Sequence, residues 1–382
     1  MEEELIPETA FEGHEFTVWS LAFSPDGRFL LSGGQDASVR VWDLEARREM
    51  HVLPGHRGAV YGIAVMADGS RAVSIADMDL AVRIWDFERG NLVTALAPNS
   101  AHINAVAVTP DNRYVLTGGD DGKVRIWDID SGVLLRVLDH SESIYSIKVS
   151  PNGQYLIVGA KAQPGTDERG LIWIWEFDLG VLLHTLDGHD GHVTRLTMTA
   201  DSRYILSGSQ DGSVKLWDLE TGTLLNDMRG HDAAILAIKL TPDGRHIVTG
   251  SADGTLRLWQ LHGGVLIHSI PHTENIHSIV VSDDARRIAT GDVDGTVQLW
   301  DFRVGTSWID TSVEREEDRR AELEAFRLVQ LRKVINRYET LPLERLQTLL
   351  RFDSLEALED WLLELPEETP VKVDGDLLII KK

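Results

Sequence analysis

A tryptophan followed by an acidic residue or glutamine closes a similar stretch of chain seven times between Trp42 and Trp300. The pairs are Trp42-Asp43, Trp85-Asp86, Trp127-Asp128, Trp175-Glu176, Trp217-Asp218, Trp259-Gln260 and Trp300-Asp301. Successive tryptophans lie 41 to 48 residues apart, the period of units that hold four strands each and bury a face against their neighbours. No other feature constrains so much of the chain.

The two most regular units read GHDGHVTRLTMTADSRYILSGSQDGSVKLWD and GHDAAILAIKLTPDGRHIVTGSADGTLRLWQ. Each holds three short runs rich in Val, Ile and Leu, parted by turn residues. Pro242-Asp243-Gly244 joins the first two runs of the second unit, and Asp253-Gly254 predicts a tight hairpin before its third. A turn such as Thr221-Gly222 follows the tryptophan and leads into a fourth run, TLLNDM. Four strands per unit follow, with no helical periodicity before residue 310. Four-stranded sheets arranged radially bury both faces and expose only short edges.

A Gly-His pair opens several units, at Gly13-His14, Gly55-His56, Gly188-His189 and Gly230-His231. The glycine is replaced at Ala101-His102, Asp139-His140 and Pro271-His272. Seven histidines in register with seven tryptophans resemble the WD-repeat (WD40) β-propeller family. The resemblance implies an all-β seven-bladed propeller over residues 9–302, and a hydrogen-bonded chain of Asp, His, Ser/Thr and Trp inside each blade. The aspartates of that chain are Asp36, Asp79, Asp121, Asp211, Asp253 and Asp294, each six residues before its tryptophan. The histidines are His14, His56, His102, His189, His231 and His272, and the hydroxyls Ser32, Ser74, Thr117, Ser207, Thr249 and Thr290. A buried carboxylate needs donors, and an imidazole held between carboxylate and hydroxyl keeps one tautomer. Such Asp-His-Ser sets mimic hydrolytic triads. A catalytic set occurs once, however, whereas a structural staple recurs in blade after blade, so no catalytic residue and no cofactor are assigned.

The last unit lacks a fourth strand after Trp300. The extended piece at Thr9-Ala10-Phe11 matches VLLHTL and TLLNDM in register and is expected to supply it, with residues 306–309 as the competing candidate. Blade four departs most from the pattern. It carries KAQPGTDERG at residues 161–170, Val158 in place of the hydroxyl and Arg169 in place of the aspartate, so it is expected to have lost its staple and gained a polar loop. The first residues of the innermost strands gather at the same end of the ring: Trp19, Tyr61, Asn104, Tyr145, Thr194, Leu236 and His277. Family resemblance puts these, with Met78 and Asp120 just before the turn aspartates, around the channel mouth. Trp19, Tyr61, Tyr145 and Met78 have the composition of an interface hot spot. The expected partner-binding set is Trp19, Tyr61, Met78, Asn104, Asp120, Tyr145, Arg169, Leu236 and His277.

Periodicity changes after residue 310. Leu328, Leu331, Ile335 and Tyr338 recur at helical spacing, predicting a charged linker helix within residues 303–338. Thr340 and Pro342 suit the cap and first turn of a second helix bearing Leu343, Leu346, Leu349 and Leu350. A third helix carries Leu355, Leu358, Trp361 and Leu362, and VKVDGDLLII follows as a hairpin about Asp374-Gly375. Residues 339–382 thus resemble the winged-helix end of PCI-domain proteins, which implies a scaffold in a multisubunit assembly.

The net charge of -24 excludes broad affinity for phosphate backbones and anionic membranes, and suits a basic protein partner. Residues 302–382 hold 13 basic and 18 acidic residues, and the third helix, SLEALEDWLLELPEE, has no Lys or Arg, so reading DNA through a winged helix is disfavoured. There is no cysteine, no apolar run reaches the ~18 residues of a membrane span, and MEEELIPETAFEGH lacks a signal-peptide pattern. The expected protein is a cytoplasmic, non-enzymatic interaction scaffold. Its alternatives are an enzyme with a central-channel site and a nucleic-acid-binding regulator.

Overall fold

The computed structural model describes residues 9–78, 80–96, 101–161, 169–272, 274–284 and 286–301. From the C-terminal part it describes 340–343, 346, 358, 362, 371–374 and 377–380. The chain divides into two compact units, residues 1–306 and 307–382.

The first unit contains seven four-stranded antiparallel sheets. Their innermost strands are Val18–Phe23, Val60–Val65, Ile103–Val108, Ile144–Val149, Val193–Met198, Ile235–Leu240 and Ile276–Val281. Each touches the next, and the last touches the first, so the ring is closed around a channel. Within six blades the four strands follow sequence order. The seventh is completed by Thr9–Phe11, which pairs antiparallel with Val297–Asp301 through Thr9↔Leu299, Ala10↔Gln298 and Phe11↔Val297. The ring is therefore fastened by strands from opposite ends of the unit.

Hydrophobic burial explains why the blades assemble only as a set. Each apolar cluster draws on two consecutive blades. Phe29, Leu31, Val41 and Leu53 of blade one pack with Ala72, Trp85 and Phe87 of blade two. Across the closure, Phe11, Val297 and Leu299 pack with Leu30, Trp42 and Leu44 of blade one. The turns are pinned locally. At the bends after the inner strands, hydroxyls of Ser24, Thr109 and Thr199 donate to the carboxylates of Asp26, Asp111 and Asp201 at 2.5–2.6 Å. Gly244 and Gly254 take φ of +69° and +71°, which the two turns read from sequence require and a side chain resists.

All seven innermost strands share one irregularity. Their register with the second strand shifts between the first and third residues, as at Val18/Ser20, Ile144/Ser146 and Val193/Arg195. The second residue is thus a β-bulge, a device that bends a strand and re-aims a side chain.

In the second unit, Thr340–Pro342, Val371–Asp374 and Leu377–Ile380 form a three-stranded sheet. The hairpin expected at Asp374-Gly375 is present, with Asp374 paired to Leu377. Thr340 and Pro342, expected at a helix start, lie instead in a strand, paired to Ile379 and Leu377. Proline fits there because it sits at the last residue of an edge strand, where no ladder donor is needed. Leu343, Leu346, Leu358 and Leu362 are helical and buried. The linker helix expected within 303–338 lies outside the described residues.

Candidate functional site

The expected staples divide into three kinds. In blades one, five and six the four side chains form one continuous chain. His189 Nδ1 meets Asp211 Oδ2 at 3.0 Å, its Nε2 meets Ser207 Oγ at 2.7 Å, and Trp217 Nε1 donates to the same hydroxyl at 2.8 Å. His14–Asp36–Ser32–Trp42 and His231–Asp253–Thr249–Trp259 repeat it within 0.2 Å. Burial pushes these carboxyls up, but the histidine and Ser/Thr hydrogen bonds outweigh it. Asp36 and Asp211 are held well below the usual carboxylate range, and Asp253 is held at about 2. In blade two His56 and Trp85 meet at Ser74 Oγ, at 2.6 and 2.7 Å, and Asp79 lies outside the described residues.

Two staples differ from expectation. In blade three the Arg125 guanidinium grips Asp121 at 2.5 and 3.2 Å and so occupies the carboxylate that would hold an imidazole. The His102 side chain is instead 55% exposed and meets Asp77 of blade two at 2.7 Å. In blade seven the turn amides of Asp294 and Thr296 donate to Asp292, two residues earlier than the expected Asp294. There His272 Nε2 is buried without a hydrogen-bond partner among the described residues. Burial raises the Asp292 carboxyl above its ordinary pKa.

Blade four, expected to lack a staple, has a shortened one. With Val158 buried at the hydroxyl position, Trp175 Nε1 donates directly to His140 Nε2 at 3.1 Å. The other ring nitrogen, Nδ1, faces the Gly122 carbonyl at 3.3 Å. An Nε2 that accepts and an Nδ1–H that donates describe a neutral imidazole, in keeping with a pKa lowered by burial.

The expected mouth residues Trp19, Tyr61, Asn104, Tyr145, Thr194, Leu236 and His277 all sit at the bulge position of their strands. Trp19 is the hub. Its ring lies 5.2 Å from Tyr61 and 4.6 Å from His277, both edge-to-face. The indole Nε1 is buried with no acceptor among the described residues. Burial, then the positive charge of Arg195, pushes His277 down to about 4, so it is neutral at pH 7. Asn104 bridges blades three and four by donating to Asp120 at 2.8 Å and to the Ile144 carbonyl at 3.1 Å. The Tyr145 ring lies tilted against His192 with centroids 6.3 Å apart, and the Lys161 ammonium sits 5.4 Å from the Tyr145 ring centroid. The start of the blade-four insertion thereby reaches the mouth. Residues 162–168 lie outside the described residues.

Not every expected residue joins this group. Arg169 is exposed and paired with Asp187 at 3.1 Å, at the end of an outer strand. Met78 is 71% exposed and lies beside Gly58. The bulges were not read from sequence, although the Val-Trp, Val-Tyr and Ile-Tyr pairs opening three inner strands mark where they fall.

Below the bulges the channel forms a cavity of about 130 Å³. Its lining includes Trp19, Tyr61, Asn104 and Tyr145, then Ser20, Ser146 and Ser278, and deeper Lys148, Arg195 and Lys239. Among the described residues no cluster of three or more His, Asp or Glu could hold a metal, and no helix is long and apolar enough to cross a membrane.

Comparison with known proteins agrees with the geometry. The family described as WD domain, G-beta repeat, matches seven times, at residues 6–43, 47–86, 90–128, 132–175, 180–218, 222–260 and 264–301. Similar proteins include transcription initiation factor TFIID subunit 5 of Caenorhabditis elegans, 30% identical over 148 residues, covering 38% of this chain and 22% of that protein. Autophagy-related protein 16 of Arabidopsis thaliana is 27% identical over 200 residues, 52% of this chain and 38% of that protein. Protein groucho of Drosophila melanogaster is 30% identical over 145 residues, 37% and 20% respectively. The chain thus spans well under half the length of these relatives. Seven matched repeats, seven four-stranded blades and a closed ring lead to one assignment: this chain belongs to the WD domain, G-beta repeat family.

Proposed function

We propose that the protein is a non-enzymatic interaction scaffold that grips a protein partner at the channel mouth. One observation carries this reading. Trp19, Tyr61 and His277 at the bulges form one ring group, Tyr145 lines the same cavity as Trp19 and Tyr61, and Trp19 keeps a buried N–H without an acceptor among the described residues. Aromatic anchors that lose little entropy on binding, with a donor left open, are what an interface centre uses. Lys161 over Tyr145 adds a cation at the rim, and the net charge of -24 favours a partner with basic surface elsewhere. The names of the relatives, a transcription-factor subunit among them, fit a role within assemblies. In this reading residues 339–382 form a PCI-like winged-helix module, joined through residues 303–338, that docks the cytoplasmic propeller into a multisubunit complex.

The test is affinity capture with the intact chain, Trp19→Ala, Tyr145→Ala and a chain ending at residue 306. A partner lost in the mouth variants, while their melting midpoints stay within a few degrees of the parent, supports the reading. Retention of every partner by all three variants refutes it.

A further inference from the structure

The inner wall of the channel obeys a size rule that three residues break. The third residue of each innermost strand is serine, glycine or alanine in six blades, and Arg195 in the fifth. Two residues further along, five blades carry Ala, Thr or Val, while blades four and six carry Lys148 and Lys239. Small side chains leave the channel open, and the three long cations fall on consecutive blades, so they share one wall. All three line the 130 Å³ cavity, whose lining contains no carboxylate. Among the described residues none of the three forms a salt bridge. The polar contact of Arg195 runs to the Thr194 carbonyl at 2.9 Å.

This arrangement is costly without a counter-charge. The three side chains are half-buried in the channel, and burial followed by mutual repulsion lowers the pKa of Lys148 and Lys239, the latter to about 7. Burial also works against the charge of Arg195, yet a guanidinium stays protonated in proteins. The carboxylate whose charge reaches Lys239, Asp283, is exposed in the turn after the seventh inner strand. The rest of the chain carries a large excess of negative charge, so a surplus of cations here is not a consequence of composition. The cavity volume is many times the roughly 10–15 Å³ that one water needs, leaving room for a polyatomic anion.

We propose that the central channel is a binding site for a phosphate-type oxyanion, held by Arg195 with Lys148 and Lys239. Arg195 supplies planar N–H donors suited to two anion oxygens, and the lysines add point charge. The inference goes beyond partner binding at the mouth: the cavity shares its aromatic rim with that site, but the anion is held by the cationic wall beneath the bulges.

The test is isothermal titration of the full-length chain at constant ionic strength, with inorganic pyrophosphate in one arm and a phosphoserine peptide in the other. Arg195→Met, Lys239→Met and the surface control Arg286→Met are titrated alongside. Saturable one-to-one binding in either arm is expected, weakened tenfold or more by Arg195→Met and Lys239→Met and unchanged by Arg286→Met. The arm that binds tells a free phosphate from one carried on a side chain. Both channel variants remove one of three neighbouring like charges, so melting midpoints no lower than the parent's show that loss of binding is not loss of fold. Absence of saturation in both arms, or equal affinity of parent and channel variants, overturns the proposal.

Discussion

Removing one carboxylate from a complete staple gives the sharpest check on what holds a blade. Asp211 accepts four hydrogen bonds: from His189 Nδ1 at 3.0 Å, the Asp190 amide at 2.9 Å, the Ser213 amide at 2.8 Å and Ser213 Oγ at 2.6 Å. In Asp211→Ala the Asp190 amide lies at an exposed residue and can turn to water, whereas the His189 side chain has no exposed surface. Three buried donors remain, His189 Nδ1–H and the Ser213 amide and hydroxyl; His189 Nδ1–H can turn to Ser213 Oγ, 3.1 Å away, which leaves two donors without an acceptor at about 1–3 kcal/mol each. The expected loss is therefore about 4 kcal/mol, or ~6 °C in melting midpoint for a unit of this size at about 2.1 cal/mol/K per residue. Asp211→Asn keeps one acceptor oxygen and should lose about half as much.

The pH dependence follows from the same bonds. Burial would raise the Asp211 carboxyl, but His189 and Ser213 hold it well below its ordinary value. A carboxyl depressed in the folded state stabilises fully above its unfolded pKa of about 3.9, and that stability fades as pH falls through the folded value. The gap between parent and Asp211→Ala should therefore stay constant from pH 5 to 8 and narrow below pH 4. Calorimetric scans at one fixed rate measure it, since large repeat proteins can unfold irreversibly. An unchanged midpoint in a folded Asp211→Ala, or a gap that widens in acid, would show the staple reasoning to be wrong.

Three other outcomes are expected. Phe11→Ala empties a buried site whose ring lies 5.3 Å from Trp42, and should cost about 3–5 kcal/mol by loosening the closure; urea midpoints and proteolysis near residue 11 report it, and an unaltered midpoint counts against closure by this strand. His140→Leu leaves Trp175 Nε1 without its acceptor and should cost about 1–3 kcal/mol; because His140 is already neutral in the fold, the loss should be the same at pH 7 and pH 8.5, which thermal melts can verify. Lys239 has a folded pKa of about 7 against 10.5 for the free side chain, so the unfolded chain holds more protons between those values and stability from this group declines as pH drops from about 10 to 7, then stays low. Lys239→Met should therefore melt above the parent at pH 6 and converge with it near pH 10; equal midpoints at pH 6 would contradict the burial argument.

Much of the architecture was legible in the sequence because each repeat states it again. The tryptophan period, the turn dipeptides and the register of Thr9-Ala10-Phe11 all follow from local chemistry that a four-stranded blade must satisfy. The staples were legible only where competition was absent. Arg40 and Arg257 stand where Arg125 does, yet they stay 3.6 Å from Asp36 and Asp253 and leave room for histidine. Arg125 closes to 2.5 Å and the imidazole of His102 leaves. A choice between two donors for one carboxylate depends on a shift of about an ångström, which residue spacing does not encode. Likewise Asp292 carries the same atoms as Asp294 two positions earlier, and only the folded turn decides which reaches the amides. Pro342 was misplaced because proline suits both a first helical turn and the end of an edge strand.

The functional signal also moves once the structure is considered. Blade four stands out in sequence by its lost hydroxyl and aspartate, but Trp175 and His140 repair the loss between themselves, so that departure reports stability. The informative departures are smaller. A bulge falls at the second residue of every inner strand, and the fold maintains that geometry whichever residues occupy it. The bulge itself does not call for the Trp, Tyr, Tyr and His found at four of those positions. The same reasoning applies one step deeper, where six blades keep a small residue and the fifth supplies Arg195. A closed ring does not need an arginine there, and a chain with net charge -24 has no general surplus of cations to place in its channel. Residues that a repeat does not require, set in positions that a repeat defines, are where this protein's chemistry should be sought.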